Sequence, residues 1–155
     1  MPRRYFLVVF VAFLCSLVTE TATAATLPRP AANLLRAVNA ARLANGTRPL
    51  RLDWTLTDAA RDHSTDMLAH DYFAHGDFAA RMTAFHVRGL RMGENLAWGS
   101  GPYARATMVV REWLGSPEHR ANLLDRRFVR IGVGVVRGSF QGVENAAVVT
   151  ADFAG

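Results

Sequence analysis

Along one short stretch of the chain, Ile131, Val133 and Val135 alternate with Gly132, Gly134 and Val136. Period-two alternation describes a β-strand, and glycines at successive same-side positions strip one of its faces of side chains. Val148, Thr150 and Asp152 alternate with Val149, Ala151 and Phe153 in the same way, giving a partner strand. Gly138 to Asn145 reads as the hairpin connection between them, and Leu96-Ala97-Trp98 as a short third strand. The C-terminal part of the chain is therefore committed to a small antiparallel sheet.

The sequence before it is mainly helical. Leu34, Leu35, Val38 and Ala41 recur at helical spacing up to Asn45-Gly46, which stops the first helix. After an extended connector, Pro49 to Asp53, the positions Leu56, Ala59, Ala60, His63 and Met67 line one face of a second helix and bury His63. Asp77, Phe78, Arg81, Met82 and Phe85 predict a short third helix ending near Gly89, and a fourth runs from Ala104 to Leu114 with Val109, Val110 and Trp113 inward. Ser116-Pro117 starts a fifth, because serine caps free N–H groups and proline at the first helical position lacks the donor that would go unused. That helix carries His119, Leu123 and Leu124. Helices first and strands last describe an α+β domain, its sheet covered by helices.

The first residues point to export. Arg3 and Arg4 precede an apolar run from Tyr5 to Val18, and Ala22-Thr23-Ala24 is a small-residue cleavage pattern, so residues 1–24 read as a secretory signal peptide. The run is short for a membrane span, which needs about 20 apolar residues, and no later stretch approaches that length. No stable membrane span is expected after cleavage. Residues 25–32, with Thr26-Leu27-Pro28-Arg29-Pro30, read as an extended leader, and 33–155 as a single domain of a size that buries most of its apolar surface. Cleavage removes Cys15, the only cysteine, so the exported domain has no disulfide; that, with arginine as its only strongly basic residue, is expected of a bacterial protein. From Ala25 onward 16 arginines face 12 acids, a net charge of +4, but the arginines are scattered and not interleaved with aromatics as a nucleic-acid surface requires. No nucleic-acid partner is expected. The protein is read as a monomer that is secreted, extracellular or held in the cell envelope.

Several motifs follow one another in a fixed order: Phe73-Ala74-His75, Gly93-Glu94-Asn95-Leu96, Trp113, Ser116-Pro117-Glu118-His119-Arg120-Ala121-Asn122-Leu123-Leu124, and Ile131-Gly132-Val133-Gly134. From about Leu34 to Gly155 the chain resembles the CAP superfamily of cysteine-rich secretory, antigen 5 and pathogenesis-related proteins, in its bacterial, disulfide-free SCP-domain branch. The resemblance implies an α-β-α sandwich and a cavity lined by two histidines and two acids, which in some members binds a divalent metal such as zinc. Carried over by motif, His75 and His119 are the histidines and Glu94 is the first acid. The place of the second acid, three residues after Trp113, holds Ser116 here, and Glu112, the nearest acid, is expected to point elsewhere.

Two neutral imidazoles and one carboxylate match a three-ligand zinc site with an open fourth position; they equally make a hydrogen-bonded cluster in which Glu94 orients His75 and His119. Ser116 and Asn95 join them as cavity residues, Ser116 as a helix cap and Asn95 as a partner of nearby backbone. His63 is expected to be a satisfied core histidine, and His70 and His86 exposed helix-end residues. Trp54, Trp98 and Trp113 are expected as core or cavity walls. Two functions follow from the trio and the resemblance. One is an exported module binding a small apolar, lipid or cell-envelope ligand, with or without the metal. The other is a metal-dependent extracellular hydrolase. Binding is the favoured reading, because no general base beyond the ligands is placed.

Overall fold

The computed structural model describes residues 26–155. The signal peptide read over 1–24 lies outside the described residues. Five helices and four strands follow in the order α1 (Arg29–Ala44), β1 (Arg51–Leu52), α2 (Trp54–His70), α3 (Phe78–Ala84), β2 (Met92–Gly99), α4 (Ala106–Gly115), α5 (Pro117–Leu124), β3 (Arg130–Phe140) and β4 (Val143–Ala154). This is the expected α+β class.

The sheet runs β1-β3-β4-β2, and its long pairs, β3 with β4 and β4 with β2, are antiparallel. It is nevertheless a mixed sheet. The connector between the first two helices lies parallel to β3, Arg51 N–H donating to Val129 O at 3.0 Å and Asp53 N–H to Ile131 O at 2.9 Å. Two residues are too few to show a period, so this strand becomes visible only beside its partner. The hairpin connection is also tighter than 138–145: both strands run on to Phe140 and Val143, and Gln141 and Gly142 turn with φ of 50° and 73°.

The glycine face of β3 is where α2 lies. A Cβ on Gly132 would sit 2.0 Å from the Leu56 carbonyl carbon, and one on Gly134 would sit 2.3 Å from Ala60 O. Backbone thus meets backbone, and only glycine permits it. On the opposite face Ile131, Val133, Ala151 and Phe153 pack with Leu34, Val38, Val109, Trp113 and Leu123 from α1, α4 and α5. The result is the α-β-α sandwich, with α2 and α3 in one layer and α1, α4 and α5 in the other.

Two local expectations are corrected. Of the leader read over 25–32, residues 29–32 are helical, because Pro30 suits a first turn and Ala31 already packs into the core. Ser116 occupies the N-cap of α5 with Pro117 following, but its hydroxyl caps nothing. Its carbonyl accepts from Arg120 N–H at 2.8 Å instead, which leaves the hydroxyl to the surface beside His119.

Candidate functional site

Strand alternation on β2 divides the motif Glu94-Asn95 between the two layers. Glu94 projects toward α2 and α3 and Asn95 toward α5, and both are buried. Glu94 stands directly opposite Asp152 of β4, which is in turn opposite Gly132 of β3. Around its carboxylate three cationic or basic groups gather. His75 Nδ1 donates to Oε1 at 2.7 Å, which places a ring proton on that nitrogen. The Arg81 guanidinium meets Oε2 in close contact, and its Nη1 donates to His75 O at 3.2 Å. His63 Nε2 lies 3.9 Å from Oε2 and 3.0 Å from Ala74 O.

Asp152 is fully buried, and neither of its oxygens receives a donor. Burial holds its carboxyl well above the usual carboxylate range, the neighbouring Glu94 pushes it further the same way, and Arg81 only partly opposes them. Asp152 therefore holds its proton to higher pH than an exposed aspartate does. Burial also pushes the His63 imidazole down, with the positive Arg81 adding to the effect and Glu94 opposing it. The cluster thus sets two buried carboxyls beside one guanidinium and two imidazoles.

β2 is an edge strand, and side chains from the other layer occupy its outward carbonyls. Asn122 Nδ2 of α5 donates to Glu94 O at 3.0 Å, and Trp113 Nε1 of α4 donates to Leu96 O at 2.8 Å. Asn95 Nδ2 donates to His119 O at 2.9 Å, while Asn95 Oδ1 accepts from Asn122 at 3.1 Å. Asn95 is a partner of backbone near the site, as its place after Glu94 suggested, and it fixes where α5 presents His119. Burial lowers the His119 imidazole, as does the nearby His75, against Glu118.

Next to this edge lies a cavity of about 630 Å³. Phe73, Leu96, Trp98, Tyr103, Trp113 and Val143 make it mainly apolar, and Ser116, His119 and Glu112 supply its polar groups. Glu112 faces this cavity after all, since residues 109, 112, 113 and 116 share one side of α4 and its end. Trp113 is buried and Trp98 half-exposed, edge-on to Phe140 at 5.3 Å. His75 and Glu94 do not line this cavity. Of the expected site residues, then, His119 and Ser116 belong to the cavity, Glu94 to the buried cluster, the exposed His75 to its outer edge, and Asn95 to the tie between them.

A family model for the cysteine-rich secretory protein family, CAP, matches residues 35–153. The chain belongs to the CAP family. It is 35% identical over 122 residues to the Bacillus subtilis protein YkwD, covering 76% of this chain and 44% of that one. The CAP domain described here thus spans less than half the length of that relative. A solved extracellular protein containing an SCP domain from Bacillus anthracis superposes with a TM-score of 0.69 at 27% identity, over 81% of this chain and 40% of its own. An outer surface protein of Borrelia burgdorferi shares the fold at 22% identity, with a TM-score of 0.63 over 77% of this chain and 87% of its own.

For a CAP domain the implied metal set would be His75, Glu94 and His119. The arrangement does not fit one. Among the described residues no three or more His, Cys, Asp or Glu side chains are gathered to hold a metal ion. Both oxygens of Glu94 are engaged, one by an imidazole N–H and the other by a guanidinium. Sequence reasoning placed Arg81 on α3 only as a helix residue and Asp152 only as a strand residue. The available signal was an acid within the otherwise apolar run Ala146 to Ala154, interrupted besides only by Thr150. His63 is the satisfied core histidine expected, and it also reaches the Glu94 cluster.

Proposed function

We propose that this CAP domain is an exported binding module that holds a small apolar or cell-envelope ligand in the cavity beside β2. The observation that carries this reading is the cavity itself: about 630 Å³, within the roughly 300–1,000 Å³ usual for ligand sites, with aromatic walls and few polar groups. In this reading Trp98, Tyr103 and Phe73 cover the apolar part of the ligand, while the neutral His119 and the Ser116 hydroxyl orient a polar end. Export is supported by the N-terminal sequence and by the extracellular description of the Bacillus anthracis structural neighbour.

The hydrolase reading receives no comparable support. It needs three ligands on one ion, and Glu94 is already shared between His75 and Arg81. The test is native mass spectrometry of the purified protein, followed by solvent extraction of whatever is retained. A copurifying lipid or envelope fragment, reduced in Trp98→Ala and His119→Ala, is the expected result. Retention unchanged in both variants would place the ligand on another surface, and an empty protein that takes up no envelope extract would remove the binding reading.

A further inference from the structure

Arg81 is a costly residue to have where it is. Its side chain is only 10% exposed, its guanidinium carbon sits 5.5 Å from the centre of the Phe78 ring, and its Nε is buried without a partner. Nothing in the packing of α3 requires a charge there, since Met82, Phe78 and Phe85 make the helix's apolar contacts. What the guanidinium does meet is Glu94 Oε2, together with the carbonyl of His75, whose ring takes the other carboxylate oxygen. His75 and Arg81 are six residues apart, and Asp77 caps α3 between them through Ala80 N–H at 2.9 Å. The loop and the first turns of α3 therefore close on Glu94 as one unit.

We propose that Arg81 is a built-in cation that occupies the charge position at Glu94 and so excludes a divalent metal ion from the His75–Glu94 cluster. An ion reaching Glu94 Oε2 would have to displace the guanidinium from its carboxylate partner, and it would be held beside a like charge in a poorly solvated site. Without Arg81 the same cluster would be a buried carboxyl pair, Glu94 and Asp152, flanked by two imidazoles, His75 and His63, with nothing to balance its charge. Its negative charge would then draw a cation, on which these side chains would have to close. This inference goes beyond the ligand cavity and does not depend on what that cavity holds.

The test is titration of the purified protein with zinc by calorimetry, and with cobalt(II) followed by its visible absorption. The protein itself is expected to show no zinc binding that depends on His75 or Glu94. Arg81→Met, which keeps the stem over Phe78, is expected to bind one zinc at least about tenfold tighter, because the repelling charge is gone. Adding His75→Ala should remove that gain. Stoichiometric zinc binding by the unaltered protein that is lost in His75→Ala would overturn the proposal. So would a folded Arg81→Met, verified by circular dichroism, with no gain in zinc affinity. If Arg81→Met does not fold, Arg81→Gln and the titration of the unaltered protein decide in the same way.

Discussion

Glu94 of β2 and Asp152 of β4 are directly opposite each other in the antiparallel ladder, and both are buried on the face that α2 covers. Glu94 pushes the Asp152 carboxyl upward, in the same direction as burial, and the Arg81 guanidinium paired with Glu94 opposes them only in part. Burial and Glu94 together favour the protonated form of Asp152.

This makes stability depend on pH in a definite direction. The folded-state pKa of Asp152 is raised above its ordinary 3.8, chiefly by burial and then by Glu94. Below that ordinary value both folded and unfolded chains hold the proton, and the contribution is fully present. As pH rises above it, the unfolded chain releases the proton while the folded one keeps it, so stability falls by up to about 1.4 kcal/mol per pH unit until the folded group also ionises. Asp152→Asn should lack this slope and gain relative to the unaltered protein as pH rises from 4 to 8. Urea unfolding across that range measures it, and parallel stability curves for the two proteins would contradict it.

Gly132→Ala should be among the most damaging single changes. The added methyl would lie 2.0 Å from the Leu56 carbonyl carbon and 2.2 Å from its oxygen, so α2 must move off the sheet. A loss of about 3 kcal/mol or more is expected, at the upper end for overpacking, because the obstacle is backbone that no rotamer change can clear. Gly115→Ala, where nothing lies within 4 Å of the new atom, is the matched control in the same unfolding measurement.

Arg42 is fully buried in α1, and burial lowers its guanidinium against the opposing charge of Asp125. It donates to Arg48 O and Leu123 O at 2.7 Å each and to Asp125 O at 3.1 Å, tying α1 to the chain leaving α5. Arg42→Met should cost at least about 3 kcal/mol by leaving these carbonyls without donors. Arg42→Lys should recover only part of that, since an ammonium cannot reproduce the planar fork. Equal stability of the lysine variant and the parent would show that charge, not geometry, matters here.

Asn95→Ala removes the donor to His119 O and the acceptor for Asn122 in one change. A loss of about 1–3 kcal/mol is expected, with weaker ligand retention because α5 no longer holds His119 at the cavity rim. Heat denaturation and extraction of the retained ligand check the two halves of this expectation separately.

Much of the fold was legible in residue spacing. The helical faces of Leu34-Val38 and Leu56-Ala59-Ala60-His63-Met67 are buried as their periods require. β3 and β4 form where their alternation placed strands, but β4 is buried on both faces from Ala146 to Ala154, because helices cover both sides of the sheet. What spacing could not show was the parallel pairing of Arg51–Leu52, two residues with no period of their own. The site was legible in part. His75 meets Glu94, but His119 lines a separate cavity and does not join them, and the motifs are silent on Arg81, which arrives from a helix of seven residues, and on the cross-strand placing of Asp152.

By itself the sequence determined the order of helices and strands, the glycine face that only a helix backbone can cover, and membership of the CAP family, since each depends on local pattern along the chain. Only the tertiary structure decided that Glu94 meets a guanidinium and stands opposite a second buried acid, while His119 and Ser116 turn to a separate apolar cavity. Strand alternation sends neighbouring residues to opposite layers, and charge balance in a buried cluster depends on partners that are distant in sequence.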